Sequence, residues 1–280
     1  MATISVNYDL HTHSTASDGT LKPSQLVELA VASRVGVLAL TDHDTIAGVT
    51  EAMRSANSFD IKLIPGVEIS ATWERQVVHL VGLGVNIADS QLLMGLQGIA
   101  TNREARAKRI GEKLAACGIE GAYAGAREIA GGSAIARPHF ARYLVQQRVV
   151  ADTQTAFKRF LVRNRPAYVA GCWASFAQGV EWIVASGGQA VVAHPARYRM
   201  TRSKLRRMLA EFKSLGGSAI EVVSGTHSRD ETQAMARYAR EFDLAASAGS
   251  DFHGPERSWS KLGGLPPLPA DLRPVWDEWR

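Results

Sequence analysis

The stretch YDLHTHSTASDG, residues 8–19, contains the first of several motifs from which the fold of this chain can be worked out. The stretch begins as a strand, and because side chains alternate along a strand, His11 and His13 point to the same face. Asp18 follows five residues after His13. Two imidazoles and a carboxylate at a strand end are able to bind one cation. A His-x-His pair on its own is more commonly two surface histidines beside a turn, so the other motifs have to decide.

The composition is that of an ordinary globular enzyme. The chain has 280 residues, of which 46% are hydrophobic and 21% are charged, enough for one large domain or for a domain with an insertion. No apolar run of about 18 residues predicts a membrane span, and the N-terminus lacks the pattern of a signal peptide. Cys117 and Cys172 are the only cysteines, so no disulfide framework is expected. We therefore expect a cytoplasmic protein.

Short apolar strands alternate with amphipathic helical stretches along most of the chain. The candidate strands are ISVNYDLH, GVLALTDHD, IKLIPGVEIS, VVHLVGLGV, PAYVAG, QAVVAHP, SAIEVVSG and LAASAGSD. Helical patterns such as FAQGVEWIVASGG, whose final glycines suit a helix C-terminus, lie between several of them. The alternation predicts an α/β fold with a mostly parallel sheet that is closed as a barrel.

Residues 99–166 break this alternation, because no strand pattern occurs there and the segment has the pattern of helices around a loop. The segment holds 13 Lys and Arg against 5 Asp and Glu, a net charge of +8; the whole chain carries +5, which leaves −3 for the rest. Such a basic block indicates either an anionic partner or a solvated helical surface. We predict a barrel in two parts, 1–98 and 167–280, with a helical cap over its mouth at 99–166.

Residues that are able to bind metals occur at or beside the ends of most predicted strands. They are His11, His13, Asp18, His43, Glu68, His79, His194, Asp251 and His253. In barrels of parallel strands the C-terminal strand ends surround the active-site mouth, so these side chains are expected to converge there. Burying such a cluster without cations would be costly. Nine N and O ligands without a thiolate predict two or three divalent metals; we favour Mn and leave Zn and Fe open, because all three suit such ligands.

The motifs DLHTHS, TDHD, GVEIS, AHP and GSDFHG, in this order over residues 9 to about 260, resemble those of the polymerase and histidinol phosphatase (PHP) phosphoesterases. The resemblance implies a distorted seven-stranded β/α barrel with a trinuclear metal centre. It implies a first metal bound by His11, His13, Glu68 and Asp251, a second that shares Glu68 and adds His79 and His194, and a third bound by Asp18, His43 and His253. Many members of the family have histidine at the position of Asp18.

The predicted cap resembles that of one branch of this family. The stretches ARPHFARYLV, HPARYRM and SGTHS are similar to those of the stand-alone bacterial branch that contains 3′,5′-nucleoside bisphosphate phosphatases and ribonuclease AM. In that branch the insertion caps the site and binds substrate phosphate. The resemblance therefore implies substrate contacts by Arg137 and His139 in the cap and by Arg197 and His227 in two barrel loops. The alternative is structural, with Arg137 capping a helix and His139 packed in the core.

These residues together predict a metal-dependent phosphoric ester hydrolase. A water that bridges the metals is the expected nucleophile, since metal binding lowers its pKa to roughly 7, and His227 is the candidate general acid. Asp42 and Asp44 are expected to orient histidines. If Arg137 and His139 bind a 5′-phosphate, a 3′-phosphate lies at the metals. The predicted reaction is then removal of the 3′-phosphate of nucleoside 3′,5′-bisphosphates, and the alternative is 5′-to-3′ exonuclease cleavage of short 5′-phosphorylated RNA.

Three other functions stay open. Histidinol phosphate is a further candidate substrate, although the cap motif argues against it. A metal-dependent amidohydrolase shares the initial His-x-His on a barrel, but it commonly has a bridging Lys in the role that Glu68 takes here. A non-catalytic domain of the kind found in polymerases tends to lose ligands, whereas this set is complete. The expected partner is a nucleotide or a short RNA, and nothing in the sequence predicts a membrane or protein partner.

Overall fold

A computed structural model describes residues 6–256 and 260–279 of the chain. Its strands are β1 (Tyr8–Asp9), β2 (Val37–Leu40), β3 (Lys62–Trp73), β4 (Gln76–Leu83), β5 (Ala174–Ser175), β6 (Gln189–Val192), β7 (Ala219–Ser224) and β8 (Ala245–Gly249). Its α-helices are α1 (Pro23–Ala32), α2 (Val49–Ala56), α3 (Ser90–Ala115), α4 (Ala122–Ala130), α5 (Arg137–Gln146), α6 (Thr153–Ala156), α7 (Phe176–Ala185), α8 (Arg202–Ser214) and α9 (Arg229–Glu241). Within these residues, no helix is long and apolar enough to cross a membrane.

Seven strands form one nearly closed sheet in the order β1-β2-β3-β4-β6-β7-β8. The pairs β1–β2, β2–β3, β6–β7 and β7–β8 are parallel. The two ends of the sheet meet through hydrogen bonds from Leu10 N to Ala248 O at 3.0 Å and from Asp251 N to His11 O at 2.8 Å. The predicted seven-stranded, distorted α/β barrel is therefore confirmed.

The distortion comes from β4, which runs antiparallel to both of its neighbours, β3 and β6. Only Glu74 and Arg75 separate β3 from β4, and their φ angles are +40° and +65°. Two successive residues with positive φ form the kind of tight turn that reverses a chain into an antiparallel hairpin. Because β4 is antiparallel, its N-terminal half lies at the same end of the barrel as the C-terminal ends of the parallel strands. His79, in that half of β4, therefore lies beside the candidate ligands at those strand ends.

The strand expected at PAYVAG, residues 166–171, does not form. Ala167 and Val169 pack instead into the hydrophobic cluster of the cap segment, and the Val169 carbonyl accepts a hydrogen bond from Arg106 Nε at 2.9 Å. The chain pairs with the sheet only later, where the two-residue β5 lies parallel to β3. The prediction was wrong because a helix side chain, not a neighbouring strand, satisfies this backbone.

Alternating side chains of the barrel strands form separate inner and outer layers. In β2, Val37 and Ala39 join the cluster inside the barrel, whereas Leu38 and Leu40 pack outward with residues of α1 and α2. The inner cluster ends at the stacked rings of Tyr8 and Trp276, whose centroids are 3.9 Å apart. Since Tyr8 begins β1, these rings lie at the end of the barrel opposite the mouth.

The long helix α3 connects the barrel with a second hydrophobic cluster. Its N-terminal part packs on the barrel through Leu92, Leu96 and Ile99, and Asp89 caps its start by accepting from Leu92 N at 2.8 Å. Its C-terminal part belongs to a separate cluster that runs from Ala107 to Val169. The segment predicted as a cap therefore has its own core, and the predicted boundary at residues 98 and 99 falls inside one continuous helix.

Candidate metal centre and substrate pocket

All nine predicted ligands lie together at the barrel mouth. Three groups have ligand atoms within 4.8 Å of one another: His11, His13, Glu68 and Asp251; His43, Glu68 and His79; and His13, Asp18, His43 and His253. His194 joins them, because its Nε2 lies 3.0 Å from Glu68 Oε1. The first group has the same members as the first metal site that the family resemblance implies.

Glu68 is the centre of the cluster and is fully buried. Its Oε2 lies 3.2 Å from His11 Nε2 and 3.3 Å from His13 Nε2. Its Oε1 lies 2.8 Å from His79 Nδ1 and 3.0 Å from His194 Nε2. A carboxylate with its two oxygens turned to different histidines has the geometry needed to bridge two cations.

Sharp backbone turns after the strands bring several ligands inward. His194 and Asp251 have φ angles of +28° and +55°, and Asp44, next to His43, has +53°. Such values are rare for residues other than glycine and occur mainly where the surrounding structure enforces them. The strands β2, β6 and β8 therefore end in turns that direct these residues toward the mouth.

The electrostatics of the mouth show that it needs positive charge. Burial would raise the pKa of Glu68, but the neighbouring His43, His11 and His79 hold that pKa well below its usual value. Burial would lower the pKa of His11, yet the charges of Glu68 and Glu221 hold it well above the ordinary value. The pKa of Asp251 is likewise held low against burial, foremost by His253. The positive charge that stabilises these buried carboxylates comes from protonated histidines, and bound metal cations would supply the same positive charge.

The unsatisfied atoms of the mouth fit divalent metals. Buried ligand atoms without a hydrogen-bond partner are His11 Nε2, His13 Nδ1 and Nε2, Asp18 Oδ1, His43 Nδ1, Glu68 Oε2 and His194 Nδ1. Buried polar atoms are normally paired, so a concentration of orphaned N and O atoms in one place indicates a missing partner. An imidazole and carboxylate set suits Zn, Mn or Fe.

Glu221 supports the ligands and was not identified from the sequence. Its Oε1 lies 2.6 Å from His11 Nδ1, and its Oε2 accepts from His194 N at 2.5 Å. A carboxylate that accepts from Nδ1–H leaves Nε2 of the same ring free to bind a metal. The available signal was a single acidic residue inside the apolar strand SAIEVVSG.

Asp42 and Asp44 do not orient histidines as predicted. Asp42 accepts from Ser14 N at 2.8 Å and from the hydroxyls of Ser14 and Ser17 at 2.6 Å each. It therefore holds the loop between His13 and Asp18. Asp44 accepts from Ser70 N at 2.6 Å and from the guanidinium of Arg103. The partners of these two carboxylates are backbone N–H groups, loop hydroxyls and Arg103 of α3, and not histidine rings.

A cavity of about 190 Å³ lies between the mouth and the cap segment. Asp18, His43 and His79 line its barrel side. Its other side is lined by basic and aromatic residues: Arg103, Arg106, Arg137, Phe157, Tyr168 and Trp173. The guanidinium carbons of Arg103 and Arg106 lie 4.8 Å and 5.3 Å from the Trp173 ring centre.

Two of the cavity's arginines lack acidic partners. No carboxylate in the described part of the chain forms an ion pair with Arg106 or Arg137. Burial and the charges of Arg137 and Arg103 lower the pKa of Arg106 to about 9, and burial also lowers the pKa of Arg137. Arg103 and Arg106 were not predicted individually, although both are arginines three apart on the basic helix α3.

The four predicted substrate residues occupy three different places. Arg137 lines the cavity. His139 is 2% exposed, its Nδ1 accepts from Ala136 N at 3.0 Å, and burial lowers its pKa to about 4. The His139 ring is therefore neutral, and its hydrogen bond fixes the start of α5, the helix that carries Arg137. The ring does not line the cavity.

Arg197 and His227 lie on another side of the mouth. Arg197 Nη1 donates to Asp251 Oδ2 at 2.5 Å, and its Nε donates to Thr226 Oγ1 at 2.9 Å. His227 Nδ1 lies 3.1 Å from the Val222 carbonyl, so it carries the proton, and the buried Nε2 has no partner. Burial lowers the pKa of His227, which makes Nε2 a proton acceptor at neutral pH.

The comparisons with known proteins agree with this geometry. The PHP domain model matches residues 9–165. A Haemophilus influenzae protein named 5′-3′ exoribonuclease is 46% identical, with 97% of this chain and 98% of that protein covered. A Chromobacterium violaceum protein named 3′,5′-nucleoside bisphosphate phosphatase is 43% identical, with 97% and 96% covered. A solved Chromobacterium violaceum structure, described as an amidohydrolase with bound sulfate and no metal, has a TM-score of 0.92 at 42% identity, with 98% and 95% covered.

Proposed function

Because this chain belongs to the PHP family and is a metal-dependent phosphoesterase, we propose that it removes the 3′-phosphate of nucleoside 3′,5′-bisphosphates and leaves nucleoside 5′-monophosphates. The observation that carries this proposal is the pair Arg106 and Arg137, which face the metal-ligand cluster across the cavity without acidic partners. A relative that covers nearly the whole chain is named 3′,5′-nucleoside bisphosphate phosphatase.

The cap arginines are placed to bind the phosphate that is not cut. Buried guanidinium groups with lowered pKa values are stabilised by a bound anion, and Arg pairs with phosphate through two parallel, charge-assisted hydrogen bonds. A 5′-phosphate held by Arg106 and Arg137 leaves the 3′-phosphate directed at the ligand cluster. His139 contributes by fixing the start of the helix that carries Arg137. We propose that residues 99–166 act as the cap that completes this pocket, between barrel parts 1–98 and 167–280.

The nine mouth residues would hold two or three divalent cations, and we propose Mn as the metal. Bound cations supply an activated water and neutralise charge on the phosphoryl group. Glu221 fixes the tautomer of His11, and Asp42 fixes the loop that presents Asp18. Arg197, 2.5 Å from Asp251, keeps positive charge beside the leaving oxygen.

His227 is the proposed proton donor to that oxygen. Its free Nε2 is unprotonated in this state, so it has to take up a proton before it acts as an acid. A phosphate dianion bound nearby would raise the pKa of the ring and favour this uptake. We propose no protein partner and a cytoplasmic location.

A second candidate activity, 5′-to-3′ exonuclease cleavage of short 5′-phosphorylated RNA, uses the same geometry. If the phosphorus at the metals links to another nucleotide, the same attack releases one nucleotide from the 5′ end. A relative named 5′-3′ exoribonuclease covers nearly the whole chain. Arg197, which contacts Asp251, and His227 do not line the cavity with the arginines, and in this proposal they would face the leaving nucleotide.

The test is turnover of four substrates with added Mn: adenosine 3′,5′-bisphosphate, a 5′-phosphorylated dinucleotide, histidinol phosphate and an amide. We expect phosphate release from the first and mononucleotide release from the second. Faster turnover of histidinol phosphate or of the amide would replace the proposal by one of the other two enzymatic functions. No turnover of any substrate by metal-loaded protein would favour a non-catalytic domain.

A further inference from the structure

The sheet opens between β4 and β6 at the point where both strands reach the mouth. The antiparallel pairing of these two strands stops at Leu80 opposite Val192. On its other edge, β4 stays paired with β3 down to its first residue, Gln76. The opening is therefore on the β6 side alone, and it lies between His79 and His194, two candidate ligands of one metal.

The hydroxyl of Tyr198 occupies this opening. One more ladder hydrogen bond is made beyond the paired register, from Ala193 N to His79 O at 3.1 Å. Residues that face each other in this way in an antiparallel pair normally exchange two such bonds. The second connection runs through Tyr198 instead, whose hydroxyl accepts from His79 N at 2.8 Å and donates to Ala193 O at 2.9 Å. The His79 carbonyl, at 3.4 Å, is a more distant acceptor. One inserted oxygen therefore satisfies both backbone groups and separates them.

A turn after β6 directs Tyr198 back onto the strand end that it follows. Pro195 begins a 3₁₀ turn, Pro195–Arg197, and Tyr198 N donates to the Pro195 carbonyl at 3.2 Å. The phenol ring stands edge-on to the ring of His194, with ring centres 5.7 Å apart. Tyr198 is thus held by its own turn, and it contacts both sides of the opening.

The two histidines beside the opening meet at one oxygen of Glu68. His79 Nδ1 and His194 Nε2 lie 2.8 Å and 3.0 Å from Glu68 Oε1, and the centres of the two rings are 5.2 Å apart. Two nitrogens and an oxygen therefore surround the space of a single cation. Metal–ligand distances tolerate only small deviations, so the separation of β4 and β6 decides whether both rings reach the same ion.

We infer that Tyr198 is a positioning residue for the metal that His79, His194 and Glu68 would bind, with its hydroxyl as the spacer between the two strands. The inference rests on the metal centre of the proposed function. The hydroxyl does not line the cavity, and its proton is used by the Ala193 carbonyl, so it is not placed to act on substrate. Without this oxygen, the unpaired His79 N–H is drawn to the Ala193 carbonyl, because buried backbone groups are normally paired, and the strands close up.

The test compares Tyr198→Phe with a matched control, Tyr143→Phe. Each variant loses one hydroxyl that donates to a backbone carbonyl, but Tyr143 bonds to Glu120 O, at 2.9 Å, within the cap segment. Metal-free protein is titrated with Mn²⁺ in the absence of substrate and followed by electron paramagnetic resonance. Two Mn²⁺ ions bridged by a carboxylate give a coupled spectrum, whereas isolated ions give separate six-line signals. Circular dichroism checks that each variant is folded, and phenylalanine keeps the ring that packs on His194.

In Tyr198→Phe, one Mn²⁺ should bind roughly 10- to 100-fold more weakly, as is typical when a group that orients a metal ligand is lost. The coupled spectrum should appear only at that higher concentration, while the other ions bind as in the wild type. At saturating Mn²⁺, kcat should return to near the wild-type value, and the control should match the wild type throughout. An unchanged titration, or equal weakening of every ion, would overturn the inference. Low kcat with all ions bound would also overturn it and would assign the hydroxyl to the chemical step.

The titration separates this inference from the proposed function, because it uses no substrate. Selective loss of one ion in Tyr198→Phe, in a protein that turns over neither adenosine 3′,5′-bisphosphate nor RNA, would keep the positioning role and reject the proposed function. Turnover by the wild type with an unchanged titration in the variant would do the reverse. A wild type without a coupled spectrum at any Mn²⁺ concentration would reject the shared site itself.

Discussion

The barrel mouth and the basic side of the cavity, here called the pocket and represented by Arg106 and Arg137, face each other. The mouth has an excess of uncompensated negative charge, whereas the pocket has an excess of uncompensated positive charge. In the mouth, burial disfavours the charges of Glu68 and Asp251, yet the surrounding histidines hold the pKa values of both carboxyls well below normal. In the pocket, burial and neighbouring arginines lower the pKa of Arg106 to about 9. The mouth needs cations and the pocket needs an anion, so metals and substrate phosphate would each complete one side.

The groups that support the side chains also differ between the two regions. A side chain of the mouth is held by a charged partner, as His11 is by the carboxylate of Glu221. Of the cavity's arginines, Arg103 pairs with Asp44, but the two without acidic partners are held mainly by aromatic rings and a carbonyl, as Arg106 is by Trp173 and Val169. A carboxylate partner would compete with substrate phosphate, whereas an aromatic ring supports the guanidinium without neutralising it. The difference implies that the mouth is built for resident ions and the pocket for a ligand that comes and goes.

Removal of the metals should have the largest effect. Exhaustive chelation is expected to abolish phosphate release, and Mn is expected to restore it, because every proposed ligand is N or O. Metal content and turnover are measured on the same samples. Full turnover by protein shown to be metal-free would reject the mechanism and leave the charge of the mouth unexplained.

Loss of a ligand should come next. His11→Ala, Glu68→Ala and Asp251→Ala should each reduce kcat/KM by roughly 1000-fold, since metal ions contribute several kcal/mol to catalysis, while circular dichroism shows an intact fold. Glu28→Ala, which removes an exposed carboxylate on α1, serves as the control. If Glu68→Ala kept full activity with its metals bound, Glu68 would not be a bridging ligand.

Loss of a pocket arginine should have a smaller effect that depends on the substrate. An Arg–phosphate contact contributes about 1.5–3 kcal/mol, so Arg137→Ala should cost roughly 10- to 150-fold in kcat/KM on adenosine 3′,5′-bisphosphate. Adenosine 3′-monophosphate lacks the 5′ group and should be cut at nearly the wild-type rate.

The controls for this variant are metal content, which should not change, and Arg163→Ala, which removes an exposed arginine of the cap segment. Equal weakening on both substrates would mean that Arg137 acts on the reacting phosphate or holds the cap in place. The assignment of the reacting phosphate to the mouth and of the 5′-phosphate to Arg137 would then be wrong.

The smallest effect is expected at Glu221. Glu221→Gln leaves one acceptor oxygen for two donors, His11 Nδ1–H and His194 N–H. Loss of such a supporting contact typically weakens metal affinity roughly 10- to 100-fold. Metal titration should show this loss, and saturating Mn should restore most of kcat. Unchanged affinity would show that burial alone orients His11.

Much of the mouth could be predicted because its residues belong to short local motifs. His11, His13, His43, Asp251 and His253 each lie within a few residues of a strand end, and the ends of parallel strands meet at one edge for topological reasons. The barrel itself followed from alternating strand and helix patterns. The position of His79 at the mouth depends in addition on the antiparallel direction of β4, which the two-residue turn before it decides.

The pocket was only partly predictable. Its basic charge was visible in residues 99–166, but Arg106 was one of 13 cations there, and nothing local distinguishes a buried arginine from a solvated one. Arg137 was identified through the family resemblance. The strand predicted at 166–171 was wrong, since Arg106 on a distant turn of α3 satisfies the Val169 carbonyl.

The sequence by itself determined the barrel, the residues that converge at its mouth and the reaction class, because periodicity and strand-end motifs are local properties of the chain. Only the tertiary structure decided which charges are compensated and which are not. Glu221 supports His11 from 210 residues away, and Arg103 pairs with Asp44 while Arg106 and Arg137 have no acidic partner among the described residues. Burial and ion pairing depend on distances in space, and these arise only when the chain is folded.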